Sequence, residues 1–178
     1  LEYFAKNHTR TDFERALQLC REAGIALAPT FVAFTPWTTL AGYLDLLHEL
    51  VRLRLVEAVP PIQLCIRLLV PEGSYLFQLP GFRELIEAFD AKLLGYPWRH
   101  ADPRVDALQQ AVQACAAHGD QEGWARSDIF EKIWRLAHDA LGIEVLPLTR
   151  ADFGQPIPRL SEPWYCCAEP TEQQLQSF

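Results

Sequence analysis

Pro60-Pro61-Ile62-Gln63-Leu64-Cys65-Ile66-Arg67-Leu68-Leu69-Val70-Pro71 is a mostly apolar run fenced by prolines and followed by Gly73. A run of that length between turn residues predicts a β-strand over residues 62–70. Alternation along it places Gln63, Cys65 and Arg67 on one face and Ile62, Leu64, Ile66 and Leu68 on the other. A Gln and an Arg aimed into an interior are costly unless something polar meets them. Two readings follow. One is an internal Arg–carboxylate pair that supports the fold. The other is a ligand held at the strand's C-terminal end, where parallel barrels keep their sites.

Upstream, the pattern alternates between helix and strand. Thr11-Asp12-Phe13-Glu14 reads as a capping box, with Phe13, Ala16, Leu17 and Cys20 following at helical spacing and Gly24 as the stop. Residues 25–34 are largely apolar, with Pro29 inside them, and predict a first strand with an irregularity near its middle. The loop Thr35-Pro36-Trp37-Thr38 leads into a second amphipathic helix marked by Leu40, Tyr43, Leu44, Leu47, Leu50 and Val51. Thr30, Thr35, Trp37 and Thr38 follow the first strand's C-terminal half. They are candidates to line one mouth with Gln63 and Arg67, or else caps and a core plug.

Helix, strand, helix, strand is the order of a parallel α/β sheet. A full (β/α) barrel needs about 200 residues or more. The expected fold class is therefore α/β: residues 1–75 as the last strand–helix units of a partial (β/α) barrel. Residues 76–146 form a helical extension, and residues 147–178 an irregular Pro-rich tail.

In that extension Phe82, Leu85, Ile86, Phe89 and Leu93 make one stripe. Asp102-Pro103 is an N-cap and N1 pair, with Val105, Leu108, Val112 and Cys115 behind it and Gly119 as the stop. Ser127 is the expected cap of a last helix carrying Ile129, Phe130, Ile133, Trp134, Ala137 and Leu141, stopped by Gly142.

Composition sets limits on function. The chain has 178 residues, 49% hydrophobic and 22% charged, a profile that excludes disorder. No run reaches the eighteen or so apolar residues of a membrane span, so no membrane partner is expected. The first seventy residues balance seven basic against seven acidic side chains, and the remainder carries the whole net charge of −7. An acidic half repels phosphate backbones, which argues against nucleic acid. Five cysteines, at 20, 65, 115, 166 and 167, do not make a secreted disulfide framework, and a cytoplasmic location is expected. The chain starts on Leu1 and contains no Met, which reads as a piece of a longer protein.

The tail carries Trp164-Tyr165-Cys166-Cys167-Ala168-Glu169-Pro170. Adjacent cysteines rarely reach one tetrahedral ion, and no partner motif lies nearby, so no metal site is expected there. A disulfide between neighbours closes a strained ring and is easily reduced, a redox-active arrangement if it forms. A pair of incidental tail thiols is the plain alternative. Lys6, His8 and Thr9 precede the first helix, where a lone His is a surface or capping residue. No phosphate loop, HExxH, GxSxG or CxxxCxxC pattern is present.

Residues 29–39 (PTFVAFTPWTT), 60–74 (PPIQLCIRLLVPEGS) and 163–170 (PWYCCAEP) together resemble the radical S-adenosylmethionine proteins with a CUAEP or CCAEP tail. The likeness runs from the KNHT stretch at 6–9 to the tail, and its most specific part is PWYCCAEP. The family is similar to radical enzymes with a cobalamin-binding domain. The resemblance implies reductive cleavage of S-adenosylmethionine to a deoxyadenosyl radical by an iron–sulfur cluster, with cobalamin as a further candidate cofactor. It implies Thr30, Gln63 and Arg67 as groups lining the adenosylmethionine site. In selenium-using members the second tail cysteine, Cys167 here, is selenocysteine. That exchange favours a redox or nucleophilic role for Cys167 with Cys166 beside it.

The family's cluster cysteines belong to an N-terminal portion, and Cys20, Cys65 and Cys115 do not have their spacing. The expected partner is thus the missing N-terminal half of the same protein, acting on a small-molecule or peptide substrate. The chain alone is expected to be inactive. The competing expectation is a stand-alone helical module for thiol redox or protein binding, with residues 82–141 as a docking platform.

Overall fold

A computed structural model describes residues 6–157 of the chain. Its order is α1 (Arg10–Glu22), α2 (Leu40–Arg52), α3 (Pro103–Gln121) and α4 (Arg126–Leu141), with short 3-10 turns at Pro61–Leu64, Tyr75–Gln78, Phe82–Leu85 and Arg150–Asp152. The predicted α/β barrel portion is not formed. About half of the structure is helical, and pairing among the described residues is limited to three isolated bridges. Phe34 and Arg67 make the one parallel bridge, whereas Ile86–Trp98 and Asp90–Gly95 are antiparallel.

The physical reason lies in where the backbone of residues 64–70 spends its acceptors. Phe34 N donates to the Ile66 carbonyl at 3.0 Å and Leu68 N to the Phe34 carbonyl at 2.9 Å, and the parallel pairing ends there. Tyr43 Oη caps the Leu64 carbonyl at 2.9 Å, and Gln109 Nε2 caps that of Cys65 at 3.0 Å. Trp98 Nε1 donates to the Leu68 carbonyl at 2.8 Å, and Tyr96 N to that of Val70 at 2.8 Å. Donors from helices and loops thus satisfy carbonyls that a neighbouring strand would otherwise take. Pro60 and Pro61, with their fixed φ, wind the start of the run into a 3-10 turn.

The helices follow their apolar spacing. α2 buries Leu40, Tyr43, Leu44, Leu47 and Leu50, and α4 buries Ile129, Phe130, Ile133, Trp134 and Ala137. Both rows recur at three and four residues, the spacing of a single helix face. α4 lies between α2 and α3, and the turn Pro61–Leu64 wedges against α3 and α4. A single core results, running from Leu17 to Phe153 and crossing residue 75. α1 joins it through Leu17 and through an ion network in which Arg10 and Arg52 share Glu14 and Glu49. Solvent screens such pairs, so they orient α1 more than they stabilise it.

Several boundaries shift from their predicted places. The capping box of α1 is Thr9 with Asp12, two residues ahead of Thr11. α2 is capped by Thr39, whose Oγ1 accepts from Gly42 N at 2.9 Å. Phe82 to Leu93 is not one helix but a single turn followed by two bridges. α3 runs through Gly119, which is buried where the helix meets α4: a Cβ there would stand 2.6 Å from Ile129 Cγ1. Ser127 lies inside α4 and the cap is Ala125. Asp102 and Gly142 fall at the predicted ends. Past Pro147 the chain still makes a turn at Arg150–Asp152 and buries Phe153 against Phe130, with centroids 5.6 Å apart. No helix among the described residues is long and apolar enough to cross a membrane.

Candidate functional site

Of the predicted lining residues, Gln63 and Arg67 flank the parallel contact with their polar groups engaged inside the fold. Gln63 is buried, and its Oε1 accepts from Phe31 N at 3.2 Å, so its role is to hold residues 30–31 beside the 3-10 turn. Arg67 Nη1 donates to Asp106 Oδ1 at 2.6 Å. Its Nη2 donates to the Trp98 carbonyl, and its guanidinium lies 3.7 Å from the centre of the Trp98 ring. Arg67 therefore forms the internal carboxylate pair, the first of its two readings. Thr30 is exposed. In this arrangement Thr30, Gln63 and Arg67 do not fit a seat for S-adenosylmethionine, because the two stronger polar groups are already engaged within the fold.

Thr35 and Thr38 act locally. Thr38 Oγ1 accepts from Thr35 N at 2.9 Å and donates to the Ala33 carbonyl at 3.2 Å, closing the turn before α2. Trp37 packs against Phe82 with ring centres 5.7 Å apart.

The three described cysteines are free thiols. Cys65 is buried, its Sγ 3.1 Å from the Ile62 carbonyl, and burial pushes its pKa up to about 12. Burial also raises the Cys115 thiol. Both are held as thiols at neutral pH and are poor nucleophiles. Cys166 and Cys167 lie outside the described residues. No group of three or more His, Cys, Asp or Glu among the described residues could hold a metal ion.

Open clefts lie elsewhere. One of about 350 Å³ is lined by Trp124, Asp128, Glu131, Lys132 and Arg135, with Lys132 Nζ 4.8 Å from the Trp124 ring centre. Arg150 from the last turn holds Asp128 at 2.5 Å and Glu131 at 2.8 Å on that face.

A feature that sequence reading passed over is the contact of His48 on α2 with Trp134 and His138 on α4. The available signal was position: His138 stands one turn after Trp134, beside Ala137 in the apolar row. Comparison with known proteins finds no matching family model, no similar curated protein and no similar solved structure.

Proposed function

We propose that this chain is the C-terminal part of a radical S-adenosylmethionine protein of the CCAEP-tail class. In this reading the helical body is the base from which Cys166 and Cys167 act as redox or nucleophilic thiols. The observation that carries the proposal is the PWYCCAEP sequence at 163–170, in a chain where two of the three described thiols, Cys65 and Cys115, are raised by burial. The residues of the body take structural roles. The adenosylmethionine and iron–sulfur chemistry belongs to an N-terminal portion of the same protein, with the substrate meeting both. A vicinal dithiol suits such a partner: closing to a disulfide, it releases two electrons and two protons to an acceptor, and an external dithiol restores it.

Two measurements test this. Iodoacetamide labelling across pH, mapped by peptide, is expected to show Cys167 or Cys166 titrating below about 8.5, with Cys65 far slower. Equal slow labelling of all five thiols removes their proposed role. Reading the source DNA in frame upstream of the Leu1 codon tests the family assignment. A CxxxCxxC stretch is expected, whereas a nearby stop codon followed by a start overturns it.

The contiguous core from Leu17 to Phe153 favours a second reading, a module that folds and binds on its own. The upstream stop codon is the outcome that would select it.

A further inference from the structure

The outer face of α4 carries charges whose sign reverses along the helix. Asp128, Glu131, Lys132, Arg135 and Asp139 recur at three and four residues and so share one stripe. Arg150 neutralises the first two, at 2.5 Å from Asp128 and 2.8 Å from Glu131. That leaves Lys132 and Arg135, then Asp139 in the last turn and Glu144 just past the C-cap Gly142. All four are exposed and make no ion pair among the described residues. Arg135 and Asp139 stand four apart with the cation first, the weaker order for a pair within one helix. A carboxylate in a last turn also opposes the helix dipole, so Asp139 gains from a cation brought from outside.

Residues 143–149 run beside this stripe. They leave Gly142, pass Trp134, whose Nε1 donates to the Leu146 carbonyl at 2.9 Å, and end where Arg150 reaches Asp128 and Glu131. The segment therefore lies antiparallel to α4. Ile143, Val145 and Leu146 on it are 47%, 37% and 50% exposed. This apolar cluster spans the stretch from Gly142 to Trp134, the same stretch in which the stripe changes sign.

We propose that this face is an isologous interface with a second copy of the chain. The two α4 helices lie antiparallel about a two-fold axis at the level midway between Arg135 and Asp139. Such an interface must be complementary to itself read backwards, and plus, plus, minus, minus is a pattern of that kind. Arg135 then faces Asp139 of the second copy and Lys132 faces its Glu144, each contact being made twice. The two apolar clusters meet beside the axis and exclude water between them. The cleft of about 350 Å³ at Trp124, Lys132 and Arg135 receives Ile143 of the second copy.

The size of the face sets the strength. α4 has 16 residues and is about 24 Å long, and helix and segment side by side are about 20 Å across. About 500 Å² per copy, or about 1,000 Å² in all, is the low end for a specific interface, so the association is reversible.

The test is sedimentation equilibrium of the full chain from about 5 to about 200 μM, with a reductant present so that tail thiols do not link copies. The expected mass rises with concentration from 20.3 kDa towards twice that value. R135D and D139R each set like charges opposite one another at two places, and each should weaken association more than about 10-fold. The double variant R135D/D139R re-forms both contacts with the signs exchanged and should recover to within about 3-fold of the parent. Both side chains are exposed, and an unchanged thermal transition checks that the fold is kept. A chain that stays monomeric at about 200 μM overturns the interface. A dimer that neither single reversal weakens uses another face, and a double variant no tighter than the single ones shows that the two residues are not opposed. Either result overturns the assignment.

Discussion

Arg67 Nη1 lies 2.6 Å from Asp106 Oδ1, joining the extended segment to the first turn of α3 across 39 residues of sequence. Asp106 Oδ2 also accepts from His100 N at 3.0 Å, so one carboxylate fastens both the segment and the loop before α3. The side chains are only 16% and 25% exposed, which shields the pair from salt. D106A is expected to cost about 2–3 kcal/mol in urea denaturation, because it removes the carboxylate that Arg67 Nη1 donates to and the acceptor of the His100 N–H. A double-mutant cycle with R67A should return a coupling above about 1 kcal/mol that changes little in 0.5 M salt. A coupling near zero would mean that the pair is incidental.

Tyr43 Oη is buried and donates to the Leu64 carbonyl, while its ring stacks on Phe34 at 4.7 Å. Y43F keeps the stacking and deletes the donor, leaving a carbonyl that water does not reach. A loss of about 1–2 kcal/mol is expected, seen as a lower urea midpoint with the slope unchanged. An unchanged midpoint would show that the Leu64 carbonyl does not depend on this cap.

That cap also explains what could be read from the chain in advance. α2 and α4 were legible because Leu40, Tyr43, Leu44, Leu47 and Leu50, or Ile129, Phe130, Ile133, Trp134 and Ala137, repeat at a spacing that only a helix face requires. Residues 62–70 were legible as apolar and largely extended, but a strand is defined by its partners. Their carbonyls meet Tyr43, Gln109, Trp98 and Tyr96, none of which any local pattern connects to them. Arg67 illustrates the same limit: its type announced a partner, but whether that partner was Asp106 or a ligand depended on tertiary packing. The His48–Trp134–His138 contact was hidden for a related reason, since it needs the crossing of two separate helices.

Gly154 has φ +89, and a Cβ there would stand 2.1 Å from the Arg54 carbonyl oxygen. Beside it, Phe153 is buried and its carbonyl accepts from Glu57 N at 3.0 Å. G154A should therefore lift the last described turn off the core, at a cost of about 2–3 kcal/mol and with faster amide exchange at Glu57. Gly123 provides the comparison: its φ is +69 but nothing lies within 4 Å of its Cβ position. G123A should cost only about 1 kcal/mol. Equal losses in the two variants would refute a steric contact at Gly154.

The buried thiol of Cys65 makes stability fall on the alkaline side. Its pKa is pushed up to about 12 by burial, from an ordinary 9.0, so the folded chain keeps a proton that the unfolded chain gives up. Below pH 9 both forms hold it and stability is complete; as pH rises from 9 towards 12 the unfolded state ionises first. The loss approaches about 1.4 kcal/mol per pH unit for this group. Tyr43, raised well above its ordinary 10.0 by burial, adds a second loss above pH 10, and Cys115 shifts in the same direction. Urea midpoints measured from pH 8 to 10.5 should therefore decline, with C65A flattening the part between 9 and 10 and Y43F the part above 10. If C65A declines as steeply as the parent chain between pH 9 and 10, the buried thiol is not the group responsible.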